Sequence, residues 1–238
     1  MMRNMNEKLD SYCIWGGAEP CTPSRFWTAD IAAALTVPLS SGMEKNRIEA
    51  FSDGVLAIII TIMVLEMKVP HGSDWAALKP VVPVFLSYLL SFVYLGIYWN
   101  NHHHLLKACR RINGAIMWAN LHLLFWLSLF PFVTGWIGAN QFTAVPLALY
   151  GAVMLLAAIA YYILQALIIT EQGGCESKLA AAVGKDWKGK LSPLLYAVAI
   201  IISFFKPWIA GSIYIFVALI WLIPDRRIER VLKESHQT

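Results

Sequence analysis

Phe51-Ser52-Asp53-Gly54-Val55-Leu56-Ala57-Ile58-Ile59-Ile60-Thr61-Ile62-Met63-Val64-Leu65 decides the class of this chain. From Gly54 to Leu65 there is no charge and a single hydroxyl. An acid at the mouth of a membrane-length apolar helix is costly, and by default it marks a functional site. Arg47 stands six residues before Asp53, giving Arg47-x-x-x-Phe51-Ser52-Asp53.

The whole chain follows the same pattern. Of 238 residues, 58% are hydrophobic and 14% charged, against about 25% charged in an ordinary soluble domain. Six apolar segments are expected at about 47–67, 79–100, 112–137, 142–169, 191–205 and 207–223. The last two are short and divided by Lys206-Pro207, so one re-entrant pair is an alternative. The fold class expected is all-α, a polytopic membrane protein with six transmembrane helices per subunit. No internal duplication is visible, so a symmetric pore needs several copies of this single repeat.

Residues 43–224 form the expected membrane domain and 225–238 a cytoplasmic tail. Residues 1–42 mix Trp, Gly and Pro without a period and read as a poorly ordered extension, Met43 beginning a compact natural start. Ile31–Leu39 could instead be the apolar core of a signal peptide, although Asp30 abuts it.

Basic residues gather in alternate loops: Lys45 and Arg47; Lys107, Arg110 and Arg111; Lys178, Lys185, Lys188 and Lys190; Arg226, Arg227, Arg230 and Lys233. The other side has only Lys68, Lys79 and Lys206. The positive-inside rule places both termini in the cytoplasm, in a cell (inner) membrane. A net charge of +4 arranged this way speaks for topology and against a nucleic-acid partner. Cys13, Cys21, Cys109 and Cys175 are scattered with no CxxC pair, so neither a disulfide framework nor a zinc site is supported.

On a helix, Ile58, Thr61, Ile62 and Leu65 share one stripe. Asp53 lies about 140° from Ile58 and Ser52 about 120° the other way, so both point away from it, into the subunit's own bundle. Taken alone, such a stripe is most often plain lipid-facing or core packing, and Ser52-Asp53 could be a helix N-cap at the membrane edge.

These residues resemble the bacterial members of the transmembrane protein 175 family, lysosomal and prokaryotic potassium channels. The signature is Arg47, Phe51, Ser52 and Asp53, followed by Gly54-Val55-x-Ala57-Ile58 and Thr61-x-x-Val64-Leu65-Glu66. A second block is Trp99-x-x-His102-His103, and a third is Asn120 with Leu129-Phe130-Pro131-Phe132-x-Thr134. The resemblance covers roughly 43–223. It implies a homotetramer conducting potassium ions, with the first helix lining a central pore. It implies that Arg47, Phe51, Ser52 and Asp53 brace that helix, with Trp99, His102, His103 and Asn120 as partners. Ile58 would then be the hydrophobic constriction, Thr61 a hydroxyl ring, and Ile62 and Leu65 further layers.

A ring of Ile can close a pore by dewetting. No Thr-Val-Gly-Tyr-Gly filter is present. Glu66 could make the outer mouth acidic and concentrate cations, or be a solvated helix end. His102-His103-His104 invites a metal, but adjacent helical residues point about 100° apart and cannot all ligate one ion. His102 or His103 is expected to hydrogen-bond within the bundle, to Asp53 or Ser52. No metal, no other cofactor and no enzymatic activity are expected, since no nucleophile–base constellation exists. The alternative reading is a proton-conducting or ion-coupled transporter using Asp53 and the histidines. Their gathering at one end of the span weighs against a relay across it.

Overall fold

The structure, a computed structural model, describes residues 45–109, 111–174 and 187–222. The 1–42 extension, the 225–238 tail and the basic residues Arg110, Lys178, Lys185, Arg226, Arg227, Arg230 and Lys233 lie outside them.

The described residues are helical, with no strand among them. Inside a bilayer a single segment can satisfy its own backbone only as a helix, and these apolar runs do so. Helix α1 is Lys45–Leu65. A 3₁₀ turn, Trp75–Val81, begins where the Asp74 carboxylate accepts from the amide of Ala77, and leads into α2, Val82–Ala108. Then come α3, Gly114–Ser128, and α4, Phe130–Ala139. Next are α5, Ala144–Glu171, α6, Trp187–Ser203, and α7, Pro207–Leu222. Four stretches are long and apolar enough to cross a membrane: Lys45–Leu65, Trp75–Ala108, Gly114–Ala139 and Ala144–Glu171. The protein is therefore a multi-pass membrane protein. The last two helices have 17 and 16 residues, about 25 Å each at 1.5 Å per residue.

Two boundaries differ from the hydropathy reading for physical reasons. The second segment runs on to Ala108 rather than about 100. Its polar end, Trp99–His104, halts an apolar count but not backbone hydrogen bonding. The third segment breaks at Leu129, with Pro131 in the first turn of the new helix, where its missing N–H costs nothing.

Hydrogen bonds tie helix ends together and give the up-and-down order. Lys45 Nζ donates to the carbonyl of Lys107 (2.8 Å), and Gln172 Nε2 to that of Ala108 (2.7 Å). Asn113 Nδ2 donates to Glu171 (2.9 Å), and Lys188 Nζ to the carbonyl of Ile220 (3.1 Å). The start of α1 thus shares one end of the bundle with the ends of α2, α5 and α7. Among the described residues helix α1 packs chiefly on α2, α3 and α4, at one edge of the bundle. Helices α5, α6 and α7 form the far side, and α7 reaches back to α2.

The core between them is rich in tyrosine. Tyr94, Tyr150, Tyr196 and Tyr214 stack edge-on or tilted, with centroids 5.6–6.5 Å apart. Tyr94 donates to the carbonyl of Tyr214 (2.5 Å), and Tyr214 to that of Leu147 (3.2 Å). The Tyr94 and Tyr214 phenols are admitted here because each O–H finds a backbone acceptor.

Candidate functional site

Helix α1 has two unlike faces. Ile48, Ser52, Leu56, Ile59 and Met63 are buried against the rest of the chain. Ile58, Ile62 and Leu65 are 58%, 40% and 79% exposed, and Thr61 is exposed with them. The stripe therefore lies on the face that the chain leaves uncovered, and Ser52 lies behind it. Thr61 Oγ1 sits 2.9 Å from the carbonyl of Ile58 and 3.1 Å from that of Ala57, donating back into its own helix.

Behind the stripe, three polar side chains meet in the core. Asn120 Nδ2 donates to Ser52 Oγ at 3.0 Å, and Asn120 Oδ1 lies 2.6 Å from His102 Nε2. An amide oxygen only accepts, so Nε2 carries the proton and donates. Ser52, Asn120 and His102 are at most 2% exposed. One side chain from each of α1, α2 and α3 is thus joined in a single chain of donors and acceptors.

Asp53 leads to a second, shallower group. Trp99 Nε1 donates to Asp53 Oδ1 at 2.9 Å. The Trp99 ring stacks on His103, centroids 5.9 Å apart and planes 19° from parallel. The adjacent histidines therefore divide, His102 turning inward to Asn120 and His103 lying against Trp99. Among the described residues no group of three or more His, Cys, Asp or Glu side chains could hold a metal.

Phe51 is 54% exposed and Arg47 is exposed, with no ion pair to a described residue. The nearby pair is Lys45 with Glu49, 3.8 Å apart. The structure therefore joins Ser52 and Asp53 to α2 and α3 but leaves Arg47 and Phe51 on the surface. Glu66 follows the last residue of α1 and is exposed, its carboxylate near α4, where a Cβ on Gly135 would lie 3.9 Å from Oε2.

One network was not read from the sequence as a unit. Ser91 Oγ lies 2.7 Å from Thr134 Oγ1 and 3.2 Å from the Tyr150 hydroxyl, and Thr134 reaches Met63 Sδ at 3.9 Å. It links α5 through α2 and α4 to the packed face of α1. The available signal was the presence of hydroxyls within apolar spans, which turn to other helices when they can.

Comparison with known proteins follows the same residues. The family described as "Endosomal/lysosomal potassium channel TMEM175" matches residues 47–131. A potassium channel of Chryseobacterium sp. (strain P1-3) is 58% identical over 193 residues, 81% of this chain and all of that one. A potassium channel of Chamaesiphon minutus is 30% identical over 189 residues, 74% of this chain and 92% of that one. The human endosomal/lysosomal proton channel TMEM175 is 35% identical over 124 residues, 46% of this chain and 23% of that longer protein. Among solved structures, a lysosomal potassium-selective channel TMEM175 homolog from Chamaesiphon minutus superposes with a TM-score of 0.63 at 28% identity. It covers 76% of this chain and 98% of that one.

Proposed function

Because this chain belongs to the TMEM175 family, we propose that it is a passive, potassium-selective cation channel built as a homotetramer around α1. The observation that carries the reading is the division of α1. Its polar residues Ser52 and Asp53 are tied to its own subunit, while Ile58, Thr61, Ile62 and Leu65 are left uncovered. A relative identical at 58% of aligned positions is a potassium channel.

Four copies turn each stripe residue into a ring. Ile58 forms the hydrophobic constriction, which conducts when wet and closes by dewetting. The Thr61 oxygens replace part of the water a cation sheds nearby, and Ile62 and Leu65 continue the lining. Discrimination then rests on the cost of partial dehydration rather than on a carbonyl cage. Ser52, Asp53, Trp99, His102, His103 and Asn120 brace α1 and stand outside the path. Arg47 and Phe51, uncovered in one subunit, complete the brace at contacts between subunits. Glu66 contributes acidity at the outer mouth. All six segments cross, with Lys45, Lys107 and Lys188 at the cytoplasmic end of an inner membrane. Helices α6 and α7 span by local thinning of the bilayer and by snorkelling of Lys206.

The test is reconstitution in planar bilayers. Unitary currents reversing at the potassium potential are expected, and Ile58→Asn should raise conductance or weaken selectivity by wetting the ring. Unchanged permeation in that variant removes Ile58 from the path. The proton channels among the relatives give a second reading, in which the current reverses at the proton potential instead.

A further inference from the structure

A cavity of about 310 Å³ opens where α7 crosses α2 and the α4–α5 turn. It lies at the end of the bundle that holds the Lys206 turn, away from the Ser52–Asn120–His102 group. Its floor is buried: Ser87, Tyr150 and Tyr214 are at most 2% exposed. Its rim includes Trp208 and Ile215, which are 70% and 51% exposed. The volume falls at the lower edge of small-molecule sites, far above the voids that packed interiors retain.

The chemistry of the wall selects the occupant. Every hydroxyl facing it is already engaged within the protein. Ser87 donates to the carbonyl of Val84 (2.8 Å), and Ser212 to that of Trp208 (2.9 Å). Tyr150 meets Ser91 (3.2 Å), and Tyr214 donates to Leu147 (3.2 Å). Those hydroxyl protons are spent, and apart from the indole N–H of Trp208 at the exposed rim the remaining lining is aliphatic and aromatic, so the wall has little to offer a polar solute. A hydrocarbon chain does gain, and the bilayer supplies one along the open rim.

The rim also carries a charge. Lys206 immediately precedes the lining residues Pro207 and Trp208, is exposed, and pairs with no carboxylate among the described residues. Trp indoles and Lys ammonium groups at the ends of spans sit at headgroup depth. That puts the cavity just below the phosphate level, where the upper part of an acyl chain lies. We propose that it is a binding site for one acyl chain of an anionic glycerophospholipid, with its phosphate on Lys206.

Gly211 makes the test direct, because it lines the cavity and a Cβ added there meets nothing within 4 Å. The protein is incorporated into vesicles of equal phosphatidylglycerol and phosphatidylcholine, extracted, washed in a delipidating detergent, and its retained lipid counted by native mass spectrometry. One lipid per chain is expected, with phosphatidylglycerol favoured about fivefold, the preference one lysine gives near an anionic surface. Gly211→Phe should lose that lipid. Lys206→Gln, an exposed change that leaves the fold intact, should bring the two lipids to parity. A wild-type protein that retains none, or a ratio unmoved by Lys206→Gln, overturns the proposal, as does full retention in a folded Gly211→Phe. Should Gly211→Phe not fold, the wild-type count and the lysine variant still decide.

Discussion

Replacing Asn120 with leucine should destabilise the protein more than any single change on the exposed stripe. Leucine keeps the branched skeleton of asparagine with larger end groups, so hydrogen bonding is the main loss and any crowding adds to it. Two bonds disappear, at 2.6 and 3.0 Å, in a site at most 2% exposed. The two orphaned partners differ. The Ser52 hydroxyl can turn to the carbonyl one helical turn back, so its loss is about 0.6 kcal/mol, the usual size for a hydrogen bond between membrane helices. The His102 ring is rigid, and its stranded N–H costs about 1–3 kcal/mol. The sum is about 2–4 kcal/mol per chain. Ile58→Ala, at a residue 58% exposed, should cost about 1 kcal/mol or less.

The second step tests the cause. Phenylalanine in place of His102 removes the stranded donor, so Asn120→Leu with His102→Phe should recover about 1–2 kcal/mol relative to Asn120→Leu alone. Steric trapping in bicelles, or a chemical unfolding titration, measures each variant. Additive losses in the double variant would refute the argument, because they would mean that packing, not an unsatisfied donor, sets the cost. So would an Asn120→Leu variant within about 0.5 kcal/mol of wild type, which is below the smallest sum of the two losses.

Two further outcomes can be checked with the same measurements. A Cβ on Gly151 would overlap the Tyr214 hydroxyl and approach Ile200 Cγ1 to 2.8 Å. Gly151→Ala should therefore cost about 1–3 kcal/mol, and Tyr214→Phe should relieve part of it. Relief would be absent if the α5–α7 seam opens freely. Trp99→Phe removes the 2.9 Å bond to Asp53 but keeps a ring on His103. It should lower stability by about 0.5–1.5 kcal/mol with the reversal potential unchanged. A shifted reversal potential at intact stability would put Asp53 in the conduction path.

Much of this is legible in the sequence, and the division has a physical basis. Helix phase follows from the 3.6-residue period alone, so the opposition of Ser52 to Ile58, Thr61, Ile62 and Leu65 was legible. Which atoms Ser52 touches was not, because that depends on how three helices dock. The expectation joined a histidine directly to Ser52 or Asp53, whereas Asn120 stands between Ser52 and His102. Asp53 is met by Trp99 instead. Separation of His102 from His103 was foreseeable, since neighbours on a helix diverge by about 100°. The hydroxyl network of Ser91, Thr134 and Tyr150 was harder to see. Each member is a lone polar residue in its own span, and nothing local marks the partner.

Thr61 has a single hydroxyl hydrogen, directed at the carbonyls of Ile58 and Ala57. An alcohol held this way behaves toward anything outside the helix as an ether, all lone pair and no donor. In the proposed tetramer such oxygens would form, around the axis, a negative lining assembled from neutral atoms. Ile58, Ile62 and Leu65 add no donor to offset it. Preference for cations over anions would then need no formal charge at the narrowest point. With nothing at the ring to titrate or screen, that part of the preference should hold across pH and ionic strength, and only the share owed to Glu66 at the outer mouth should fall in acid or high salt. A chloride current through the open channel would contradict it.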